Sequence, residues 1–358
     1  MPPIRVLVVD DSVVVRKLLC DALASSPEVQ PAGTASNGAI ALAKIPQLNP
    51  DVVTLDIEMP GLNGIQTLTE IRKLYPKLPV IMFSTLTEQG AAITLEALSL
   101  GASDYVTKPS NSPSLARAME QVRRELLAKI ICLGRRSVTG VAAMASAGRR
   151  KFVDRRIEIL AIGTSTGGPN ALAEVIPRLP KEFPIPTVIV QHMPPLFTRL
   201  LAERLNAQSK LPVREAEPGK PVGPGEVWIA RGDYHMTVSQ RGTGVVLQLN
   251  QEAPENSCRP AVDVLFRSVA RTYGANVLAV VMTGMGSDGA RGAAHIREAG
   301  GEILVQDEPT SVVWGMPGAV VSSRLADKIY PLPEISGEIV KRVEASRRRV
   351  GAASAMHV

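Results

Sequence analysis

Twice along this chain, short unbroken apolar runs alternate with helix-length segments, and most runs end on a polar residue or a glycine-rich turn. Runs such as IRVLVV (4–9), DVVTL (51–55) and PVIMF (79–83) suit strands buried on both faces, because a strand with one face in water would alternate in polarity. Further strands are predicted near 30–35 and just before Lys108, with helices over 13–24, 38–46, 65–74, 88–99 and about 113–130. Strand–helix alternation of this kind predicts a five-stranded parallel sheet covered on both faces. The pattern restarts with IEILAI (157–162), PTVIVQ (186–191), EVWIA (226–230), VVLQL (245–249), NVLAVVMT (276–283) and EILVQ (302–306). Helices are expected over 169–178, 196–208, 260–273 and 289–299, with Gly- and Pro-rich hairpins between 212 and 260. The second half is therefore expected to be a mostly parallel, doubly wound α/β domain.

Length agrees with two domains: 358 residues at roughly 150 per domain. The expected boundaries are 1–130, a linker at 131–156, a second domain at 157–346 and a tail at 347–358. The net charge of +6 is local. Residues 1–130 carry 12 basic and 13 acidic side chains, and residues 157–358 carry 21 and 20, whereas 131–156 carry 7 and 1. The basic clusters at 135–136 and 149–151 read as a solvated linker, or as attraction to an acidic partner surface. Arg347 to Arg349 read as a solvated tail. Aromatics are 3%, which argues against a nucleic-acid reader built on base stacking. Cys20, Cys132 and Cys258 are odd in number, widely spaced and lack a CxxC, so neither a disulfide framework nor a zinc site is supported. With no membrane-length apolar run and two acids soon after the N-terminus, the expectation is a soluble, cytoplasmic protein.

In an open α/β sheet, ligands bind beyond the carboxyl ends of the strands. Asp10, Asp11, Asp56, Ser84 and Lys108 all fall at that edge of the first domain. Crowded carboxylates repel unless a hard cation sits among them, and Mg²⁺ prefers oxygen ligands. A nearby lysine can neutralise a further anion such as a phosphoryl group. Asp56, alone at its strand end, is the best phosphoryl acceptor. Each residue taken singly has a structural reading: an Asp after a strand often caps a helix, and a lone Lys is usually solvated.

DD at 10–11, LDIEMPGLNG at 55–64, Ser84 and KP at 108–109 closely resemble the response-regulator receiver domains, over about 125 residues. The resemblance implies a flavodoxin-like fold and phosphorylation of Asp56 by a histidine kinase, with Mg²⁺ near Asp10, Asp11 and Asp56. It also implies a switch pair of Ser84 and Tyr105, a phosphate contact from Lys108, and a cis bond before Pro109. Serine stands at 84 where threonine is commoner, with Thr85 adjacent.

Three strand ends of the second domain carry unusual residues: GTSTGGP (163–169), HMPP (192–195) and GMGSDG (284–289). Ser165 lies in a G-x-S-x-G turn, which lifts a hydroxyl above the sheet. A seryl nucleophile needs a base such as imidazole, and the base needs an acid to fix its tautomer. Of four histidines, His295 falls inside a helix and His357 in the tail. His192 is preferred over His235 because it follows a continuous apolar strand. Asp288 sits in a glycine-rich loop whose backbone N–H groups could hold an oxyanion. The other readings are plain turns and caps, or phosphate binding. Dinucleotide binding fits poorly, because Ser165 replaces the middle glycine and Gln191, not an acid, ends the next strand.

GTSTGGPNAL (163–172), QHMP (191–194), TGMGSDGARG (283–292) and DEPTSVVWGMPGAV (307–320) resemble the catalytic domain of the chemotaxis protein-glutamate methylesterases. With the receiver, the resemblance covers about 5–345. It implies hydrolysis of glutamyl methyl esters on chemoreceptors and deamidation of receptor glutamines. Ser165 would be the nucleophile, His192 the base, Asp288 the orienting acid and the Met285 backbone N–H an oxyanion donor, with no cofactor in this domain. The receiver is expected to gate the active site until Asp56 is phosphorylated. The alternatives are a phosphorylation-switched adaptor without chemistry, and a DNA-binding output, which the near-neutral 157–358 region does not favour.

Overall fold

The computed structural model describes residues 2–108, 115–135 and 155–355. The chain forms two compact units, Met1–Gly140 and Val141–Val358. In the first, β1 (Ile4–Val9), β2 (Val29–Ala35), β3 (Val52–Asp56), β4 (Val80–Ser84) and β5 (Asp104–Thr107) form a parallel sheet in the order β2-β1-β3-β4-β5. This is the flavodoxin-like arrangement the sequence leads one to expect. Every residue of β3 and β4 is buried, as the unbroken apolar runs require. The connecting helices are α1 (Val13–Ala24), α2 (Gly38–Leu48), α3 (Gly64–Leu74) and α4 (Glu88–Ser99), with α5 (Leu115–Gly134) after β5. Local chemistry starts them. Side chains of Ser12, Asn37, Asn63 and Thr87 accept the N–H of Val15, Ile40, Gln66 and Gly90, and Gln66 completes a capping box by accepting the Asn63 N–H. Helix α5 runs past the predicted end at 130 because Leu126, Ile130 and Leu133 keep one buried stripe.

In the second unit, seven parallel strands lie in the order β14-β13-β12-β6-β7-β9-β8. They are β6 (Ile159–Thr164), β7 (Thr187–Gln191), β8 (Val213–Glu215), β9 (Val227–Ile229), β12 (Val277–Val281), β13 (Glu302–Gln306) and β14 (Lys328–Tyr330). The strands β10 (His235–Arg241) and β11 (Gly244–Asn250) form a separate antiparallel hairpin, as the Gly-rich region suggested. Helices α6 (Gly168–Val175), α7 (Pro195–Gln208), α8 (Val262–Tyr273) and α9 (Ala290–Glu298) follow the expected segments. The hairpin packs on α8, where Ser268 Oγ accepts the Val238 N–H and Thr272 Oγ1 donates to the Val238 carbonyl.

Four elements escape the sequence reading: β8, a parallel edge strand where hairpins were expected, α10 (Gly315–Ser322), β14 and α11 (Leu332–Ala355). Helix α10 opens on Gly-Met-Pro-Gly, residues that obscure a helical signal. Strand β14 is a short, largely exposed edge. Helix α11 carries the segment expected as a solvated tail. Ile335, Ile339 and Val343 are buried one turn apart, and Arg347 donates to the Pro184 carbonyl at 2.9 Å. Of the basic linker, residues 136–154 lie outside the described residues. No helix among the described residues is long and apolar enough to cross a membrane.

Candidate functional site

Each sheet has a point where the chain changes direction: between β1 and β3 in the first unit, and between β12 and β6 in the second. Crevices open at the carboxyl ends of strands at such points. Both groups of predicted residues lie there.

In the first unit, Asp10 follows β1 and Asp56 ends β3. One carboxylate oxygen from each of Asp10, Asp11 and Asp56 falls within 4.8 Å of the others. Lys108 Nζ lies 2.7 Å from Asp56 Oδ1 and 3.4 Å from Asp10 Oδ2. Asp10 Oδ1 accepts the Ser12 N–H, while Oδ2 of Asp10 and Oδ2 of Asp56 are buried without a hydrogen bond. Buried carboxylate oxygens left in this way are costly, and a hard divalent cation with a preference for oxygen would satisfy them. The donor set therefore fits Mg²⁺. Burial pushes the Asp56 carboxyl up to about 6 against the pull of Lys108, with Asp10 adding to the rise. Burial works against the Lys108 ammonium, yet contact with Asp56 and Asp10 holds its pKa above the ordinary value.

Ser84 bonds into the following helix α4, and Tyr105 lies within β5. Ser84 Oγ accepts from Thr94 Oγ1 at 2.6 Å and lies 3.2 Å from the Gly90 carbonyl. Tyr105 is buried, and the Lys129 ammonium sits 5.0 Å from its ring centroid. Pro109, and with it the expected cis bond, lies outside the described residues.

In the second unit, Ser165 and His192 follow neighbouring strands whose last residues, Thr164 and Gln191, are register partners. The tightness of the G-x-S-x-G turn has a visible cause. Gly167 has φ +78, and the turn approaches the loop after β12 so closely that a Cβ on Gly284 would lie 2.8 Å from Ser165 Cβ. Asp288 lies in the turn between β12 and α9 and is buried. The structure brings His192 and Asp288 together, with Nε2 to Oδ2 at 2.8 Å. A carboxylate only accepts, so Nε2 carries the hydrogen and Nδ1 is the basic nitrogen. This reverses the ring orientation of the familiar Ser-His-Asp template, in which Nδ1 faces the acid.

Asp288 is held from every side. Its oxygens also accept the N–H groups of Val262, Asp263 and Gly289 and the Asn256 amide. Burial opposes its charge, but His192 and these backbone donors keep its carboxyl below the usual range. Burial likewise disfavours the His192 imidazolium, while Asp288 and Cys258 outweigh it and push the ring up to about 10.

The Ser165 hydroxyl makes no hydrogen bond to His192 among the described residues. Nδ1 instead faces Cys258 Sγ at 3.6 Å. The Met285 backbone N–H, the expected oxyanion donor, has no backbone acceptor among the described residues. His235 serves the fold: its ring lies 3.1 Å from the Ala253 carbonyl and accepts the Ala261 N–H. His295 is exposed, 3.6 Å from Glu298, and His357 lies outside the described residues.

Sequence reasoning missed the supports. Buried Gln191 donates to the carbonyls of Ser165 and His192 and accepts from Thr164 Oγ1, tying two site loops together. Asn256 bridges Asp288 and Asp263. A polar residue ending an otherwise apolar buried strand was the available signal for Gln191. For Asn256 it was an Asn-Ser pair in a turn.

Similarity to known proteins extends over both units. A family model for the response regulator receiver domain matches residues 6–120, and one for the CheB methylesterase matches residues 160–339. A protein-glutamate methylesterase/protein-glutamine glutaminase of Trichodesmium erythraeum (strain IMS101) is 50% identical over 351 residues, 96% of this chain and 100% of its own. One of Nocardioides sp. (strain ATCC BAA-499 / JS614) is 50% identical over 366 residues, 99% and 100% respectively. The crystal structure of the Thermotoga maritima CheB methylesterase catalytic domain is 44% identical, covers 52% of this chain and 98% of that one, and superposes with a TM-score of 0.51. The chain belongs to the CheB methylesterase family and carries an N-terminal receiver domain. It is a hydrolase that carries its own receiver domain.

Proposed function

We propose that this chain hydrolyses glutamyl methyl esters on chemoreceptors and deamidates receptor glutamines, by acyl transfer through Ser165, His192 and Asp288. The receiver, residues 1–130, takes its phosphoryl group on Asp56 from a histidine kinase and so raises the activity of the catalytic domain, residues 157–346. The reading is supported above all by the His192 Nε2–Asp288 Oδ2 contact of 2.8 Å beside the Ser165 turn.

His192 Nδ1 takes the Ser165 proton as Oγ attacks the side-chain ester or amide carbonyl. The Met285 N–H stabilises the tetrahedral oxyanion. The imidazolium then returns its proton to the departing methoxide or amide nitrogen, releasing methanol or ammonia. Water, deprotonated by the same ring, cleaves the acyl-enzyme to free glutamate and restores Ser165. Asp288 holds the ring and balances the charge it gains. In the receiver, Asp10, Asp11 and Asp56 would hold Mg²⁺, which supplies charge neutralisation for the incoming phosphoryl group. Lys108 contacts that group, and Ser84 with Tyr105 respond to it.

The test is methanol release from methylated chemoreceptor membranes, with and without a small phosphodonor. Wild type releases methanol faster with the phosphodonor, Asp56→Asn does not respond to it, and Ser165→Ala releases none. Release by a folded Ser165→Ala protein at the wild-type rate overturns the mechanism. Absence of release from wild type under both conditions returns the chain to the adaptor reading.

A further inference from the structure

Residues 255–258 form a two-residue hairpin at the edge of the catalytic site. The Glu255 N–H donates to the Cys258 carbonyl at 3.1 Å, and the Cys258 N–H to the Glu255 carbonyl at 2.9 Å. Asn256 and Ser257 between them have φ 52 and 62, the left-handed pair that such a turn demands. Neither end is loose. Glu255 makes a bidentate ion pair with Arg267 of α8, at 2.7 and 2.5 Å. Arg259 binds Asp233 and the carbonyls of Gln251 and Glu252.

This pinned turn aims two side chains at the catalytic groups. The Asn256 amide donates to Asp288 Oδ1 and to Asp263 Oδ2, both at 2.9 Å, and so bridges two buried carboxylates and offsets their repulsion. Cys258 Sγ lies 3.6 Å from His192 Nδ1, the ring nitrogen that Asp288 leaves free. We propose that the 255–258 turn is a positioning element for hydrolysis: Asn256 orients the Asp288 carboxylate, and the Cys258 thiol holds Nδ1 of His192 in the resting enzyme until the seryl hydroxyl displaces it. The proposal rests on the Ser165–His192–Asp288 reading.

The chemistry suits the role. A thiol is a weak donor and a weak acceptor, so it steadies the ring yet gives way to a hydroxyl. It donates S–H to neutral Nδ1. Once the ring is protonated, Nδ1–H donates to sulfur, and that charge-assisted contact is the stronger of the two. The thiol therefore favours the imidazolium, whereas the Asn256 amide, by bonding the Asp288 charge, weakens its hold on the ring proton. Charged groups around the ring are Asp288 at Nε2 and, acting through Asp288 or Glu255, Asp263, Arg267 and Arg291.

The two side chains thus have opposite expected signatures in the full-length enzyme. Loss of one such contact in Cys258→Ala lowers kcat roughly three- to tenfold with KM unchanged, and moves the rising limb of the pH–rate profile to lower pH. Cys258→Ser restores most of kcat. Asn256→Gly, which keeps the left-handed backbone, also lowers kcat but moves the limb to higher pH. Methanol release measured across pH for these variants and Ser165→Ala decides the matter, with circular dichroism confirming the fold. Wild-type kcat and an unmoved limb in both Cys258→Ala and Asn256→Gly overturn the proposal. So does a Cys258→Ala loss as deep as that of Ser165→Ala, which would make the thiol a reacting group. Activity persisting in Ser165→Ala defeats the underlying triad reading instead.

Discussion

The two sites occupy the same address on two parallel sheets and solve opposite electrostatic problems. At the receiver edge, Asp10 and Asp56 each keep a buried carboxylate oxygen with no hydrogen bond, Lys108 pairs with both, and the other Asp10 oxygen accepts the Ser12 N–H. At the hydrolase edge, Asp288 accepts from three backbone N–H groups, one amide and an imidazole. One carboxylate cluster keeps oxygens that the chain does not bond, which suits the cation and phosphoryl group proposed for it. The other is completed by the chain itself, so that its charge is spent on holding a ring. Strand-end position alone does not decide the chemistry; the number of donors aimed at the carboxylate does.

Replacing a carboxylate by its carboxamide at each edge is the sharpest way to break this contrast. Asp288→Asn turns an amide NH₂ toward donors and loses the imidazole's partner, so methyl ester hydrolysis falls by about 10³–10⁴-fold, with a lower unfolding midpoint. Asp10→Asn leaves the hydrolase chemistry in place but removes the receiver's response to metal. Wild type gains about 2.7 kcal/mol of stability at Mg²⁺ one hundred times its Kd, and thermal unfolding of Asp10→Asn with and without Mg²⁺ shows most of that gain gone. Equal Mg²⁺ stabilisation of both proteins would erase the distinction between the sites.

Smaller effects sharpen the hydrolase half. A general base must be neutral to accept a proton, and Asp288 with Cys258 holds His192 above its ordinary 6.5, up to about 10. The kcat/KM limb for methyl ester hydrolysis therefore rises on the alkaline side of neutrality, and in the residual activity of Asp288→Asn it shifts toward 6.5. A wild-type limb at or below that value contradicts the pairing. The smallest effect belongs to Ser257, at φ 62. Ser257→Gly relieves a left-handed non-glycine residue and raises stability by about 0.5 kcal/mol, read as a shift in urea midpoint at constant slope.

Most of the strands and their parallel arrangement were legible, as were the strand-end positions of Asp10, Asp56, Ser84, Ser165 and His192, because these depend on local pattern: an unbroken apolar run, then a polar residue or a glycine turn. Ser165, His192 and Asp288 each follow such a run, so the meeting of His192 with Asp288 at one sheet edge was foreseeable. Which ring nitrogen faces Asp288 was not, since that depends on how the imidazole meets Asp288 and the 255–258 turn. Cys258 looked incidental once disulfide and zinc were set aside, yet it lies against Nδ1. Asn256 and Asp263 reach the site from a stretch whose turns carry no apolar period. The C-terminal helix was missed because its buried stripe of Ile335, Ile339 and Val343 stands among charged residues that hide it.

One contact far from either site bears on how such a protein can be assembled. The Ile157 N–H donates to Ser346 Oγ across 189 positions of sequence, so the entrance and exit of the hydrolase half are stitched to each other. A module whose two ends meet in this way can be joined to a different sensory partner, or moved within another chain, without its interior being pulled apart.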